Sequence, residues 1–185
     1  VGVFGVSSLG WAGGTLLLQG GTAAGTGLTF NRNLSLSGRG SNTFGTSLQS
    51  IGNNTITGNI VTSSITETRL AATGGTTIIN GNVQLGTADI GQIIYGNRNV
   101  VINGLITGGT SGQIHLVKTT SGIVSTLTLT NSNNTFLGAT RADSGTIRIS
   151  DGGQLGRSTS NNIAPITFNG GTYEIRTDAP NSFSG

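Results

Sequence analysis

The sequence predicts an all-β chain wound as a right-handed parallel β-helix, a β-solenoid of about seven to eight coils. Three observations predict it. Short alternating apolar pairs recur along the chain, each closed by a polar, glycine-bearing turn. Charged residues are only 8%, against about 25% in ordinary globular chains, while apolar residues reach 34%. The 185 residues include 33 Gly and no Cys, so turn formers are plentiful and disulfides are excluded. Low charge with much Gly is also a mark of disorder. Here recurrent runs of Ile, Val and Thr, which favour strands, argue against it.

The chain opens on "VGVFGVSSLGW", an apolar stretch of small residues ending in Trp11, the one Trp. It lacks the basic start of a secretory signal, so it reads as a mature N-terminus or an internal cut. Residues 1–12 are therefore set apart from the repeats of residues 13–185. They act either as a cap on their own core or as a strand that covers the end of a neighbouring copy.

From residue 13 the repeats run in order. Leu18 closes "LLLQGG", Leu36 lies in "LSLSG", Ile56 in "TITG", Ile79 in "TIING" and Ile102 in "VVING". Leu129 lies in "LTLTN", Ile149 in "IRISDGG" and Phe168 in "ITFNGG". The step between these anchors averages about 21, within the 20–50-residue period of solenoids.

Alternation is clean at Leu28-Thr29-Phe30, Leu34-Ser35-Leu36, Val83-Gln84-Leu85 and Ile114-His115-Leu116. It is equally clean at Leu127-Thr128-Leu129, Ile147-Arg148-Ile149 and Tyr173-Glu174-Ile175. Period two marks strands with one buried face and one wet face. Asn-Gly, Asp-Gly and Gly-Gly pairs between them are expected to supply positive-φ residues at sharp turns. A β-sandwich of hairpins uses the same turns. Its strands recur every 8–12 residues, about half the period seen here.

A single coil cannot bury its own apolar side. Stacked at about 4.8 Å per coil it shares a continuous core with its neighbours, and seven or eight coils make a rod about 35–40 Å long. Asn80, Asn103 and Asn169 at the turns are expected to form side-chain ladders.

Composition excludes several classes of function. The absence of Cys removes thiolate metal sites and Cys nucleophiles. No segment approaches the about 20 apolar residues of a membrane helix. Nine basic and six acidic residues give a net charge of +3 and a pI near 10.2, yet the Arg residues (Arg32, Arg39, Arg69, Arg98) are scattered. A nucleic-acid interface would cluster them, so no nucleic-acid partner is expected.

Individual candidates for chemistry read as structure. Glu67 and Asp89 stand about one coil apart, and stacking would raise a carboxylate pKa or hold a cation. Loops of variable length make that stacking accidental. Asp143 and Asp151 flank the Ile147 strand, and Asp151 in "SDGG" is a turn residue that bonds its own backbone. Asp178 completes the acids with Glu174. The Gly-rich Asp motif of calcium-binding coils is missing. His115 is the one His and faces outward from its strand, with no second ligand for a metal.

No G-x-S-x-G appears, and "TGGTSGQ", residues 107–113, lacks the ending of a phosphate loop. Arg69, Arg98 and Lys118 recur at roughly coil-length intervals as a loose basic stripe for an anionic polysaccharide, or as solvated charges. Thr126-Thr128-Thr130 and Thr55-Thr57 give local Thr ranks suited to an ice-binding face. Other coils break them with Arg148, Asn80 or Gly104. The aromatic residues Phe30, Phe44, Tyr95, Phe136, Phe168, Tyr173 and Phe183 fall mostly at core-like positions, not along a sugar-binding groove. No catalytic, cofactor-binding or metal residue is assigned.

The stretch "NNTFLGATRADSGTIRISDGGQLG", residues 133–156, resembles the autotransporter-associated β-strand repeat. The matching positions are Asn133, Asn134, Thr135, Phe136, Gly138, Thr140, Gly145, Thr146, Ile147, Ile149, Leu155 and Gly156. Ala139 and Arg141 depart from the usual Gly and small residue. Residues 47–86, with "GTLLLQGG" and "ITFNGGTYEI", look like the extended form of that repeat, so the resemblance covers most of the chain.

It implies a non-enzymatic segment of a secreted surface or fibre protein of Gram-negative and related bacteria, a rod that extends, assembles or adheres. The ends of a solenoid expose unpaired N–H and C=O groups and neither end here reads as a charged, Pro-bearing cap, so copies of itself, head to tail, are the expected partners, with surface glycans as a second class. A glycan-binding or polysaccharide-degrading β-helix is the alternative. The chain stops at "NSFSG", which looks like the middle of a repeat, and shows no C-terminal membrane barrel. It is then a fragment, or its open ends serve a purpose.

Overall fold

The computed structural model describes residues 2–4, 14–23, 26–38, 40, 45–62, 68–86, 92–96, 99–109, 114–117, 125–156 and 166–176. They form a parallel β-solenoid with three sheets. Face 1 stacks seven strands: β2 (Leu16–Gln19), β5 (Leu48–Ile51), β8 (Arg69–Thr73), β11 (Gln92–Gly96), β14 (Ile114–Val117), β16 (Thr140–Ala142) and β18 (Ile166–Phe168). Face 2 stacks seven more: β3 (Leu28–Phe30), β6 (Asn54–Ile56), β9 (Thr76–Ile79), β12 (Asn99–Ile102), β15 (Thr126–Leu129), β17 (Thr146–Ile149) and β19 (Thr172–Ile175). Face 3 has five: β1 (Gly2–Phe4), β4 (Leu34–Leu36), β7 (Ile60–Thr62), β10 (Val83–Leu85) and β13 (Ile106–Gly108).

Every strand pairing among the described residues is parallel and joins one coil to the next. A sandwich of hairpins would pair sequence neighbours antiparallel, so that fold is ruled out for them. Gly2–Phe4 pairs with Leu34–Leu36, so part of the N-terminal segment forms the outer strand of its own face 3.

Two expectations are corrected. Four coils, not seven to eight, carry strands on all three faces, and they span β2 to β13. Beyond them face 3 changes character. Thr135 and Leu137 still donate backbone hydrogen bonds to the Ile106 and Gly108 carbonyls, at 2.9 Å each. The next layer there is a 3₁₀ helix, Gly152–Leu155.

The second correction concerns the repeat. Leu18 and Phe168 lie on face 1 and Leu36 on face 3, whereas the other anchors share face 2. Leu28, Asn54, Thr77, Val100, Leu127, Ile147 and Tyr173 form one register column on face 2. Its steps are unequal: the longest runs from Val100 to Leu127 and the shortest from Leu127 to Ile147. Each coil offers three alternating apolar pairs with similar turns, so sequence pattern alone mixes the faces.

The core lies inside the three faces. Leu34, Ile56, Ile60, Ile79, Ile106 and Leu127 are fully enclosed. Burying each such side chain contributes about 1.5–3 kcal/mol. Among the aromatic residues, Phe136 is fully enclosed.

The turn glycines divide into two kinds. Gly52, Gly74, Gly108 and Gly170 have positive φ, as expected at turns. Gly58, Gly81 and Gly104 do not; they stack one above another at one corner. A Cβ on Gly81 would strike the Gly58 carbonyl, and one on Gly104 the Gly81 carbonyl. At these corners glycine is required by the close approach of coils, not by backbone sign.

Candidate functional site

Two features stand out on this scaffold: its ends and its polar corners. Among the described residues, β2 and β3 at one end each pair on one side only, and at the other end β18 and β19 do the same. A strand with an open edge presents unpaired N–H and C=O groups that another strand can take up. Core columns surface there. On face 1, Phe168 lies in line with Ala142, Leu116, Ile94, Leu70, Leu48 and Leu16. Ala142 is fully buried, yet Phe168 is 66% exposed. On face 2, Leu28 (40%) and Ile175 (51%) are exposed positions of columns whose middle members are enclosed. Tyr173 is partly covered: its ring meets Phe168 edge-on at 4.7 Å, and its hydroxyl donates to the Thr140 carbonyl. Burial pushes its phenol pKa up.

The polar corners carry the ladders. Asn103 Nδ2 donates to Asn80 Oδ1 at 2.8 Å, as the sequence suggests, and Thr130 Oγ1 donates to Asn103 Oδ1 at 2.8 Å. Asn169 joins no such ladder: its amide donates to Asp143 Oδ1 at 2.9 Å, because the following glycine turn places it beside the Arg141–Asp143 ion pair. A longer ladder escaped the sequence reading. Asn33 Oδ1 accepts from the Asn59 N–H, Asn59 Oδ1 from the Asn82 N–H and Asn82 Oδ1 from the Leu105 N–H, at 2.9, 3.0 and 3.1 Å. Its signal is an Asn directly before the first apolar residue of successive face 3 strands: Asn33 before Leu34, Asn59 before Ile60 and Asn82 before Val83.

The other candidates are placed as follows. Asp151 caps the 3₁₀ helix, its Oδ1 accepting from the Gly153 N–H at 2.7 Å, which is the turn role expected of it. Asp143 pairs with Arg141. Arg69 lies in β8, and His115 lies in β14 in backbone register with Ile93 and Arg141. Thr128 is in line with Val101 and Arg148, so the Thr rank does not continue from coil to coil. Thr107–Gly109 ends β13 in a turn with positive φ at both glycines. Glu67, Asp89, Arg98, Lys118, Asp178, Trp11, Arg39, Phe44 and Phe183 lie outside the described residues.

One charged constellation was missed in the sequence. Arg148 follows Thr128 and precedes Glu174 in one outward column of face 2. Glu174 receives Arg148 Nε at 2.8 Å on one oxygen and Arg176 Nε at 3.5 Å on the other. The signal was a pair of opposite charges separated by one coil. Among the described residues, no group of three His, Cys, Asp or Glu side chains is placed to hold a metal ion. Among them too, no helix is long and apolar enough to cross a membrane. Compared with protein-family models, curated proteins and solved structures, the chain matches none of them.

Proposed function

We propose that the protein is a non-enzymatic structural element, a β-solenoid rod of a bacterial cell surface or extracellular matrix, that assembles head to tail with copies of itself. The observation that carries this reading is the exposure of core columns at both ends of the stack. Continuing the register places Tyr173 against Leu28, Ile175 against Phe30 and Phe168 against Leu16 of a second copy. All three pairs are apolar, so the joint would repeat the core that fills the interior. Association of this kind is heterologous and non-closing, which yields filaments. Resemblance to the surface repeat supports the extracellular location.

Electron microscopy of the purified chain at rising concentration tests the proposal. Thin filaments are expected, and Phe168→Asp with Ile175→Asp should abolish them while leaving the melting transition in place. Both side chains are exposed, so the substitutions spare the interior. Short rods at every concentration would overturn head-to-tail assembly.

A further inference from the structure

Among the described residues the charges gather toward one end of the rod. An open depression of about 180 Å³ lies over β15 and β17, walled by Thr128, Thr130, Ser150, Arg148 and Arg176, with the buried Leu129 and Ile149 also lining it. Sites that enclose a small molecule measure about 300–1,000 Å³. This one is smaller and open, so it suits one group carried on a longer molecule that lies across the face.

Glu174 does not line the depression and has its two oxygens on the two Nε atoms. The terminal Nη groups of Arg148 and Arg176 have no partner among the described residues. Among the described residues, one carboxylate against two guanidiniums leaves the cluster net positive. Asp151, three residues from Arg148, has its carboxylate turned to the Gly153 N–H, and Asp178, two residues from Arg176, lies outside the described residues. A planar guanidinium held through Nε presents its remaining donors as a fork, the geometry that matches an oxyanion. Hydroxyls along the wall suit a hydroxyl-rich carrier: the Ser150 Oγ is fixed by Gln154 Nε2 at 3.1 Å and the Thr130 hydroxyl by Asn103.

From this we infer that the depression binds the carboxylate or sulfate of an acidic polysaccharide. Arg148 and Arg176 grip the oxyanion, and Thr128 and Ser150 face the sugar hydroxyls. Glu174 pairs with the two Nε atoms and offsets part of their charge. The inference does not depend on filament formation.

Titration calorimetry of the full chain against polygalacturonate, dextran sulfate and neutral dextran tests it. Saturable binding of at least one acidic polymer, and none of neutral dextran, is expected. Preference between the two acidic polymers tells carboxylate from sulfate as the group recognised. Arg148→Lys with Arg176→Lys keeps the charge and removes the fork, so affinity should fall about tenfold or more. Arg32→Lys, at an exposed turn away from the depression, should leave it within about twofold. Glu174→Gln removes the competing anion and should tighten binding; Asp143→Asn makes the same change in net charge elsewhere and should not. Binding that survives the double Lys variant overturns the inference, as does equal tightening by Asp143→Asn, since either would mean diffuse attraction. Absence of binding to both acidic polymers overturns it as well. Circular dichroism melts of each variant confirm that folding is retained.

Discussion

The middle coils and the last coils solve the same stacking problem in different ways. From β6 to β13 the coils keep one length on faces 2 and 3, all three faces carry strands, and glycines stack at one corner beside an Asn ladder. Between residues 45 and 109 the described residues include one charge, Arg69. Among the described residues from 125 to 176 the coil length changes from one turn to the next, face 3 lacks strands after β13, and six residues are charged. A regular coil satisfies its backbone through the ladder above and below. An irregular coil must satisfy it with side chains.

Two buried amides take this role in the last coils. Asn134 accepts from the Ile106 N–H at 2.8 Å and donates to the Gln154 carbonyl at 2.9 Å. Gln154 accepts from the Ser150 N–H at 2.8 Å and donates to the Thr130 carbonyl at 3.2 Å. Both residues are almost fully enclosed. They stand where a further face 3 strand would have bonded. Polar side chains are buried in the middle coils too, but for a different end. Ser50 Oγ accepts from Asn54 Nδ2 and from Thr77 Oγ1, and Asn54 Oδ1 accepts from the Leu28 N–H at 3.2 Å, fixing the register of β3 on β6.

The sharpest way to break the contrast is at Phe136, the aromatic side chain that fills the space under the unstranded part of face 3. Phe136→Ala should cost about 3–5 kcal/mol through lost transfer energy and the cavity left behind. Chemical denaturation would read this as a large fall in the midpoint, with the last coils losing amide protection first.

Next in size is a matched pair of Asn substitutions. Asn134→Ala strips partners from two buried backbone groups and should cost about 2–4 kcal/mol, at roughly 1–2 per group, the lower part of the range for an orphaned buried group. Asn82→Ala removes a rung from an exposed ladder, where water replaces it, and should cost about 0.5–1.5 kcal/mol. Equal losses in denaturation midpoints would show that buried amides are no more important to the irregular coils than ladder rungs are to the regular ones.

The smallest effect is expected at high pH. Tyr173 is held neutral by burial, so its folded pKa lies above the unfolded value of about 10. Its contribution is therefore fully present below about pH 10 and is lost as pH rises from there toward the folded pKa. Thermal melts from about pH 8 upward should be flat to about pH 10 and then decline, and Tyr173→Phe should reduce that decline. No loss above about pH 10 would show that the ring is open to solvent.

Much of the fold is legible in the residues because a strand with one buried side must alternate. Leu34-Ser35-Leu36 and Ile147-Arg148-Ile149 read directly as inward-outward-inward, and the structure places them so. Asp151 reads as a turn residue for an equally local reason, since its carboxylate reaches its own backbone two residues on.

Pairings across a coil are another matter. Arg148 and Glu174 are neighbours only because β17 and β19 stack in one register, across a coil longer than those of the middle of the rod. Nor does local sequence separate Gly81 from Gly74, although one is demanded by the coil beneath it and the other by its own φ.

The all-β character of this chain and its winding into stacked parallel coils are legible locally, because period-two alternation and turn glycines act over a few residues. Which strands share a face, where the third face gives way to a 3₁₀ helix, and which charges meet emerge only when the coils are stacked. Those outcomes depend on loop lengths summed over whole coils. A shift of a single position in a turn reverses which side of the next strand faces inward.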